Sequence, residues 1–468
     1  MMWNFNQFLH NIAIIDEAGH QSTYADLKNE SEKLAKVFDR RCLVFNFCAN
    51  QKGSLLGYLT LINHNIVPVM LETDLNKEFS SHLIATYKPD YLWVPQDVSN
   101  QFHYECVFST WNYELLKTEF TNCYPLHEDL ALLLTTSGST GSPKLVRQSY
   151  QNILANTKSI VKYLELDEKE RPITTLPMHY TYGLSILNTH LYVGASMILT
   201  EKTLMQKEFW QQFRDYQATS FGGVPYTYEM LDKLRFFRME LPHLRTMTQA
   251  GGKLSPELHK KFAEYALANN KRFFIMYGQT EATARMSYLP HEKALEKYGS
   301  MGIAIPDGEF SLIDEEGHLI HEAEIVGELI YKGENVTMGY AESGEDLIKE
   351  DLWKGILVTG DMARRDKDGF YYIVGRKKRF LKIFGSRINL DETERMIRAT
   401  FSDLDCACGG TDDKMSVFIT DESKKNDVLK FLAEKTGLNP VAFKMMFLEQ
   451  IPRNESGKIL YTALEAYL

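Results

Sequence analysis

The chain has 468 residues, of which 44% are hydrophobic and 24% charged, and its formal net charge is −10. This composition is typical of a globular protein with more than one domain, and it excludes a disordered chain, a collagen-like fibre and a coiled-coil rod. The acidic balance also argues against a protein that coats nucleic acid or that a polybasic face holds on a membrane.

The chain carries few targeting or redox signals. No apolar run reaches the ~18 residues that a membrane-spanning helix needs, and the first residues lack the pattern of a secretory signal. Six cysteines do not make a disulfide framework, and the one close pair, Cys406-x-Cys408, has no further Cys or His at the short spacing that metal sites use. We therefore expect a cytoplasmic protein that neither inserts into a membrane nor binds nucleic acid.

Short apolar runs alternate with amphipathic stretches in the first part of the chain. A helix is predicted from Tyr24 to Val37, and strands are predicted at 42–47, 91–94 and 130–134. The alternation continues through strand-like runs at 219–224 and 272–277. Strands that alternate with helices predict parallel sheets covered by helical layers.

The pattern changes after Gly302. Segments of period-two alternation, such as 310–313 and 327–331, are separated by turns and predict a small, antiparallel, β-barrel-like subdomain. After Gly375 the pattern is again mixed. Residues 379–468 carry 13 basic and 14 acidic residues, a balance of −1, whereas the remainder carries 39 and 48, a balance of −9. The sequence thus predicts an α/β fold with an N-terminal domain at 1–377, built of two layered α/β subdomains and the barrel, and a small α+β C-terminal domain at 378–468.

The segment from Thr135 to Lys144, TTSGSTGSPK, follows an apolar strand. Hydroxyls and glycines followed by a lysine suit a loop whose backbone N–H groups hold phosphates. It is not a Walker A loop, because Pro143 precedes the lysine and Leu145 follows it. A Gly/Ser-rich turn without a ligand is the alternative interpretation of this segment alone.

Four further segments could serve the same chemistry. They are Tyr277-Gly278-Gln279-Thr280-Glu281, Thr359-Gly360-Asp361, Gly375-Arg376-Lys377-Lys378 and Pro452 to Lys458, PRNESGK. They offer in turn an aromatic face with a carboxylate, a carboxylate suited to ribose hydroxyls, a basic turn, and a lysine on a glycine-bearing loop. Each one by itself is more typical of a solvated turn.

In this order and spacing, the segments resemble the adenylate-forming, or AMP-binding, superfamily of acyl- and aryl-CoA synthetases, carrier-protein adenylation domains and luciferases. The resemblance covers nearly the whole chain and is nearest to compact, stand-alone bacterial acyl-adenylating ligases. Further segments that match the family's motifs are 22–27, 66–69, 249–255 and 327–329.

The resemblance implies a two-step reaction. ATP converts a carboxylic acid to an acyl-adenylate with release of pyrophosphate, and a phosphopantetheine thiol of coenzyme A or of a carrier protein then takes the acyl group. The implied cofactors are ATP and Mg²⁺. Because the carboxylate and the ATP phosphates are both anions, such a site needs cations and directed donors to offset their repulsion.

The resemblance also assigns roles to individual residues. The β- and γ-phosphates would be bound by loop residues, namely Thr136, Ser137, Gly138, Ser139, Thr140, Gly141 and Lys144. The nucleoside would be bound by Gly251, Gly252, Tyr277, Gly278, Asp361 and Arg376. Thr280 would contact the α-phosphate, Glu281 would bind Mg²⁺ with help from Thr140, and Lys458 would bridge the acid and the α-phosphate. Lys458, Thr280, Glu281 and Lys144 are thus the implied catalytic residues.

The second step in this superfamily uses a mobile C-terminal domain. The resemblance places its hinge at Lys378 and a thiol tunnel at Gly385. The acyl pocket would be lined by His179, Tyr180, Gly222, Gly223, Val224, Gln249 and Ala250. His179 lies one position before the family's usual histidine and Tyr180 takes that place, so a core aromatic cluster is the competing interpretation. Members of the superfamily that activate amino acids usually have an aspartate in this segment to bind the α-amino group. No aspartate lies between Leu176 and Leu184, so the resemblance argues against an α-amino acid substrate.

The thiol acceptor is the least determined part of the prediction. The stretch from Arg364 to Arg387 holds nine basic and two acidic residues, which predicts either a solvated face or a basic rim beside a polyphosphate or an acidic partner. The aromatic segment at 179–183 resembles that of compact, stand-alone bacterial members with carrier-protein partners, and this resemblance favours an acyl carrier protein over coenzyme A. Two other functions stay open: an adenylate-forming enzyme with another acceptor, either amide-forming or luciferase-like, and a non-catalytic nucleotide-binding regulator.

Overall fold

A computed structural model describes residues 2–135, 144–383, 386–411, 413–453 and 459–467. The chain forms two compact units, Met1–Glu309 with Tyr331–Leu357, and Phe310–Ile330 with Val358–Leu468. The predicted boundary at residue 378 lies inside the second unit, so the division into 1–377 and 378–468 stays a prediction.

The first unit is built of three mixed α/β sheets and their covering helices. Its helices are α1 Tyr24–Ala35, α2 Lys52–Asn63, α3 Lys77–Tyr87, α4 Tyr150–Leu164, α5 Thr181–Tyr192, α6 Lys207–Asp215, α7 Pro225–Lys233 and α8 Pro256–Ala268. Its strands are β1 Ile12–Ile15, β2 Gln21–Thr23, β3 Leu43–Cys48, β4 Val67–Glu72, β5 Tyr91–Pro95, β6 Glu105–Thr110, β7 Tyr113–Lys117, β8 Leu130–Thr135, β9 Leu145–Ser149, β10 Met197–Ile198, β11 Ser220–Gly223, β12 Thr246–Gln249, β13 Arg272–Tyr277, β14 Ser287–Leu289 and β15 Ile303–Ala304. The predicted α/β class is confirmed, with strand and helix bounds shifted by one or two residues.

The largest sheet has the strand order β18-β9-β8-β4-β3-β5-β7-β6, where β18 is Tyr340–Ala341. Its four central strands are parallel, and β9, β18, β7 and β6 add antiparallel edges that the sequence did not predict. Helices cover both faces: Leu132 packs with α2, whereas Leu133 packs with α3. A strand buried on both faces must be apolar throughout, which explains the run LALLL in β8.

A second sheet, of order β11-β12-β13-β14-β15, brings three parallel strand ends to one edge. Gly223 lies opposite Gln249, and Gln249 lies opposite Ile275, two residues before Tyr277. The carboxyl edge of parallel strands is where α/β folds bind ligands. The sheet therefore collects three of the predicted site segments at one place. The third sheet, β10-β1-β2, pairs the N-terminal strand with β10.

The second unit holds the C-terminal elements. Its helices are α9 Leu390–Thr400, α10 Lys425–Thr436 and α11 Tyr461–Glu465. The strands that form its sheets are β16 Glu309–Ile313, β17 Val326–Lys332, β19 Ile356–Arg365, β20 Tyr371–Arg376, β21 Phe380–Ile383, β22 Ser386–Asn389, β23 Cys406–Thr411, β24 Lys414–Ile419 and β25 Phe443–Phe447. The sheets have the orders β16-β17-β19-β20, β21-β22 and β23-β24-β25. The tail from β21 onward mixes helices and strands, as predicted for an α+β domain.

Cys406 and Cys408 belong to the hydrophobic core of this tail. Burial raises the pKa of the Cys406 thiol to about 12, so the pair packs as apolar side chains. Among the described residues, no helix is both long and apolar enough to cross a membrane. The cytoplasmic location expected from the sequence stays a prediction.

Candidate active site

The carboxyl edge of the second sheet is lined by residues without bulky side chains. A Cβ on Gly222 would lie 2.8 Å from Ile186 Cδ1 and 3.0 Å from the Tyr182 hydroxyl oxygen. Gly251 has φ of +81°, and a Cβ there would lie 2.6 Å from the Tyr180 hydroxyl oxygen. The glycines therefore let two tyrosines approach the strand ends closely: Tyr182 of α5 and Tyr180, which directly precedes that helix.

The two tyrosines have different surroundings. Tyr182 is buried, and its hydroxyl group makes 2.8 Å hydrogen bonds with the carbonyl and hydroxyl oxygens of Thr248. Tyr180 is half-buried and stands at the N-terminus of α5 beside Gly251, with half-buried His179 before it. The interpretation as a core aromatic cluster thus describes Tyr182, while Tyr180 lies beside Gly251, a predicted nucleoside-binding residue. The structure brings Tyr180, Gly222, Gly251 and the end of β12 together.

Arg285 lies against the ring of Tyr182 and was not predicted as a site residue from the sequence. Its side chain is buried, and its guanidinium carbon lies 4.5 Å from the centroid of the Tyr182 ring. It donates hydrogen bonds to the hydroxyl oxygens of Tyr163 and Ser185, both at 3.1 Å. Within the described ranges no carboxylate pairs with it, so a full positive charge lies buried beside the predicted acyl pocket. The only sequence signal for Arg285 is its position, four residues after Glu281.

The turn after β13 carries Tyr277, Thr280 and Glu281. A Cβ on Gly278 would lie 1.7 Å from the carbonyl oxygen of Ala284, so the chain folds back tightly on itself here. Buried Asn335 donates to the carbonyl oxygens of Ala282 and Arg285 at 2.9 and 3.1 Å. These contacts fix the turn and with it the three predicted site residues.

Glu281 and Lys144 both contact the side chain of Tyr340. The Tyr340 hydroxyl group donates to Glu281 Oε1 at 2.7 Å, and Lys144 Nζ lies 3.4 Å from the centroid of the Tyr340 ring. The structure thus brings a predicted phosphate-binding lysine and a predicted metal ligand together, although 137 positions separate them in the sequence.

The chemistry of Glu281 fits Mg²⁺. This ion prefers one or two carboxylates together with substrate phosphates. One oxygen of Glu281 accepts the hydrogen bond from Tyr340, and within the described ranges no hydrogen bond or ion pair engages the other. Thr140, the second predicted ligand, lies outside the described residues. The one three-ligand cluster among the described residues, at Asp314, Glu316 and His318, lies on a surface turn.

The second unit brings the predicted ribose residues together. Asp361 and Arg376 are opposite each other on β19 and β20, with Arg376 Nε 3.6 Å from Asp361 Oδ1. Asp361 is buried, whereas the Arg376 side chain is 71% exposed. The neighbouring Lys377 donates to Glu328 Oε2 at 2.7 Å. The Asp361 carboxylate is therefore buried, while the Arg376 guanidinium that faces it remains largely in solvent.

The expected basic rim is reduced by internal pairing. Arg364 pairs with Glu324, and Arg379 donates to Asp391 at 2.8 Å and to Glu394 at 2.5 Å. Arg379 is also stacked 3.7 Å from the centroid of the Tyr461 ring. Arg379, one of the nine basic residues of the stretch from Arg364 to Arg387, is therefore not an exposed charge of the expected rim, because Asp391 and Glu394 pair with it inside the C-terminal fold.

Several predictions fall where the structure gives no description. Outside the described residues lie Thr136, Ser137, Gly138, Ser139, Thr140, Gly141, Gly385 and Lys458. Lys378 lies in a short 3₁₀ helix, Lys377–Arg379. The remaining predicted pocket and nucleotide residues lie at the carboxyl ends of β11 and β12: Gly223 and Gln249 are the last residues of these strands, and Val224, Ala250 and Gly252 follow them.

Comparison with known proteins gives concordant results. The sequence profile of the family described as AMP-binding enzyme matches residues 2–341. The chain is 29% identical over 348 residues to peroxisomal OPC-8:0-CoA ligase 1 of Arabidopsis thaliana, covering 71% of this chain and 63% of that protein. It is 29% identical over 343 residues to 2-succinylbenzoate–CoA ligase of Bacillus cereus (strain Q1), covering 71% and 69%. The chain thus spans less than two thirds of the first relative's length.

Solved structures share the fold over nearly the whole chain. o-Succinylbenzoate CoA synthetase from Bacillus subtilis, in complex with its acyl-adenylate intermediate, superposes with a TM-score of 0.78 at 21% identity, covering 97% of this chain and 95% of that one. ATP-bound MatB from Rhodopseudomonas palustris gives 0.78 at 21% identity, covering 99% and 97%. Because the likeness extends over both units, it includes the C-terminal elements that the family profile leaves out.

Proposed function

This chain belongs to the AMP-binding enzyme family, and we propose that it is an AMP-forming acid–thiol ligase. A carboxylate oxygen of the acid attacks the α-phosphorus of ATP, and pyrophosphate leaves. The thiol sulfur of the acceptor then attacks the carbonyl carbon of the acyl-adenylate, and AMP leaves with the oxygen that the acid supplied.

The observation that carries the proposal is the meeting of Lys144 and Glu281 on Tyr340. The side chain of Tyr340 contacts both the Lys144 ammonium and the Glu281 carboxylate. A nearby cation can bind the ATP phosphates, and a carboxylate can bind the Mg²⁺ that accompanies ATP. Mg²⁺ bound at Glu281 would screen the phosphates and draw electrons from the reacting phosphorus. A binding protein without chemistry would not need the further lysine, Lys458, that the family motif supplies.

The remaining roles follow the family pattern as proposals. Thr136 to Gly141 hold the β- and γ-phosphates, Thr280 contacts the α-phosphate, and Tyr277 stacks on adenine beside Gly251, Gly252 and Gly278. Asp361 and Arg376 take the ribose, and Lys458 bridges acid and α-phosphate. Lys378 is the hinge and Gly385 lines the thiol tunnel. The acid enters beside Tyr180, Gly222 and the end of β12.

For the acceptor we propose coenzyme A. The sequence favoured a carrier protein on its aromatic segment alone, but one tyrosine of that segment, Tyr182, is a core residue. The basic rim that a carrier surface would need is reduced, because Arg379 is paired inside its own unit. The relatives OPC-8:0-CoA ligase 1 and 2-succinylbenzoate–CoA ligase are named for coenzyme A as well.

A panel of acids tests the proposal. Each acid is supplied with ATP, Mg²⁺ and labelled pyrophosphate, and the panel includes aromatic, aliphatic and dicarboxylic members. We expect acid-dependent exchange of label into ATP, and a Lys458→Ala variant should lose about 10²- to 10³-fold in this exchange because a directed cation is missing at the phosphorus. Lys430→Ala, an exposed lysine on α10, is the matched control and should retain full exchange. Wild-type exchange in the Lys458→Ala variant would refute the assignment.

A further inference from the structure

Tyr340 connects two proposed catalytic groups, and no motif in the sequence assigned it a role. Its hydroxyl group donates to Glu281 Oε1 at 2.7 Å. Its ring carries Lys144 Nζ at 3.4 Å from the centroid. One side chain therefore uses its polar end on a carboxylate and its π face on an ammonium group, which are two separate interactions.

The surroundings of Tyr340 fix it from several sides. It lies in β18 opposite Val146 of β9, and its carbonyl oxygen accepts a 3.1 Å hydrogen bond from Arg147 Nε. Its ring meets Trp353 edge to face, with the centroids 5.0 Å apart. The backbone and the ring are thus both held, so that the hydroxyl and the π face have fixed directions.

Arg147 fixes the position of the backbone segment that contains Tyr340. Its side chain is completely buried. Beyond Tyr340, it donates to the carbonyl oxygens of Met338 at 2.7 Å and of Glu350 at 3.1 Å. Because the buried Arg147 guanidinium donates its hydrogen bonds to backbone carbonyl oxygens, it connects the 338–350 segment to β9, the strand that follows Lys144.

The hydrogen bond from Tyr340 has a direct consequence for Glu281. It engages Oε1 of the carboxylate, and within the described ranges the other oxygen has no hydrogen bond or ion pair, so that oxygen is available to a metal. The ammonium of Lys144 lies over the face of the same ring, so the ring fixes where this positive charge stands relative to Glu281.

We propose that Tyr340 is a positioning residue of the adenylation step, whose hydroxyl orients Glu281 for the metal and whose ring orients Lys144 for the nucleotide phosphates. The inference rests on the proposed ATP-dependent function. The two interactions are separable by substitution, because phenylalanine keeps the ring and loses the hydroxyl, whereas leucine loses both.

The test measures binding in the absence of any acid. Free Mn²⁺, a paramagnetic substitute for Mg²⁺, is titrated by electron paramagnetic resonance into the enzyme with saturating ATP, and ATP affinity without metal is measured calorimetrically in EDTA. Tyr340→Phe should weaken Mn²⁺ binding about 10- to 100-fold, as loss of a hydrogen bond to a metal-ligating carboxylate does. It should leave metal-free ATP affinity unchanged. Tyr340→Leu should in addition weaken metal-free ATP binding about threefold to tenfold.

The matched control is Tyr24→Phe, which removes a buried hydroxyl that donates to the Ala195 carbonyl oxygen at 2.7 Å. It should bind Mn²⁺ and ATP as the wild type does. Unchanged Mn²⁺ affinity in Tyr340→Phe, or an equal loss of metal-free ATP affinity in that variant, would overturn the inference. If the leucine variant does not fold, the phenylalanine variant decides alone through its Mn²⁺ titration. A wild type that binds Mn²⁺ and ATP but shows no exchange with any acid would instead count against the proposed function.

Discussion

Replacing Gly278 by alanine is the sharpest local perturbation that the structure offers. The new Cβ would lie 1.7 Å from the Ala284 carbonyl oxygen, 2.7 Å from its carbonyl carbon and 2.9 Å from Arg285 Cα. All three atoms are backbone, so no side-chain rotation relieves the overlap. Real Cβ contacts below 3.0 Å essentially never occur, so the two strands of chain must separate by at least 1.3 Å, the difference between 3.0 and 1.7 Å.

This separation has two energetic consequences. Overpacking costs about 1 to 3 kcal/mol. The backbone hydrogen bond from Met286 N to the Tyr277 carbonyl oxygen, 2.9 Å long, closes the same turn and would be strained or lost, which costs about 1 kcal/mol more. Gly278→Ala should therefore lose about 2 to 4 kcal/mol of stability. Because Thr280 and Glu281 move with the turn by more than 1 Å, pyrophosphate exchange should fall about 100-fold.

Thermal unfolding and acid-dependent exchange measure the two effects. The control is Gly317→Ala, whose glycine has φ of +88° and no atom within 4 Å of the added Cβ. It should lose about 1 kcal/mol through the left-handed backbone and keep wild-type exchange. A Gly278→Ala protein that unfolds and exchanges like the wild type would refute the argument, since the turn would then not depend on this contact.

Three further predictions concern stability and the second step. Burial lowers the pKa of His259 to about 4 from 6.5, so between these pH values the unfolded state binds more protons and stability is lost as the pH falls. Wild type should lose about 2 kcal/mol more than His259→Gln between pH 7 and pH 5, and equal losses would contradict this. Arg285→Met should keep or raise the unfolding temperature, because an unpaired buried charge is removed while Tyr163 and Ser185 keep other hydrogen-bond partners; a clear drop would show otherwise. Lys378→Pro should keep exchange and impair thioester formation, because proline fixes φ at the proposed hinge, and equal effects on both steps would exclude that position.

The positions of several strands and the candidate site residues at their ends could be predicted from the sequence. The predicted strands at 219–224 and 272–277 correspond to β11 and β13, and Gly222 and Gly251, which the family resemblance assigned to the site, lie where tyrosine side chains approach the backbone closely. These features depend on local periodicity and on backbone demands, which a single sequence records.

Contacts between residues that lie far apart in the sequence could not be predicted from the sequence. Tyr340 contacts Glu281, 59 positions away, and nothing in the pattern Met338-Gly339-Tyr340 signals this. Arg285 reads as one basic residue on a strand-like run, although it is buried under Tyr182. Arg379 looked like part of an exposed basic run because local composition says nothing of partners such as Asp391 and Glu394, twelve and fifteen residues further on.

The most direct test of the two-step reaction follows one oxygen atom. An accepted acid, labelled with ¹⁸O in both carboxylate oxygens, is converted with ATP and coenzyme A, and the AMP is analysed by mass spectrometry. Because the carboxylate oxygen that attacks the α-phosphorus leaves with AMP, each molecule of AMP should carry one ¹⁸O and the thioester should retain the other. Unlabelled AMP, or label recovered in inorganic phosphate alongside ADP, would contradict an acyl-adenylate intermediate.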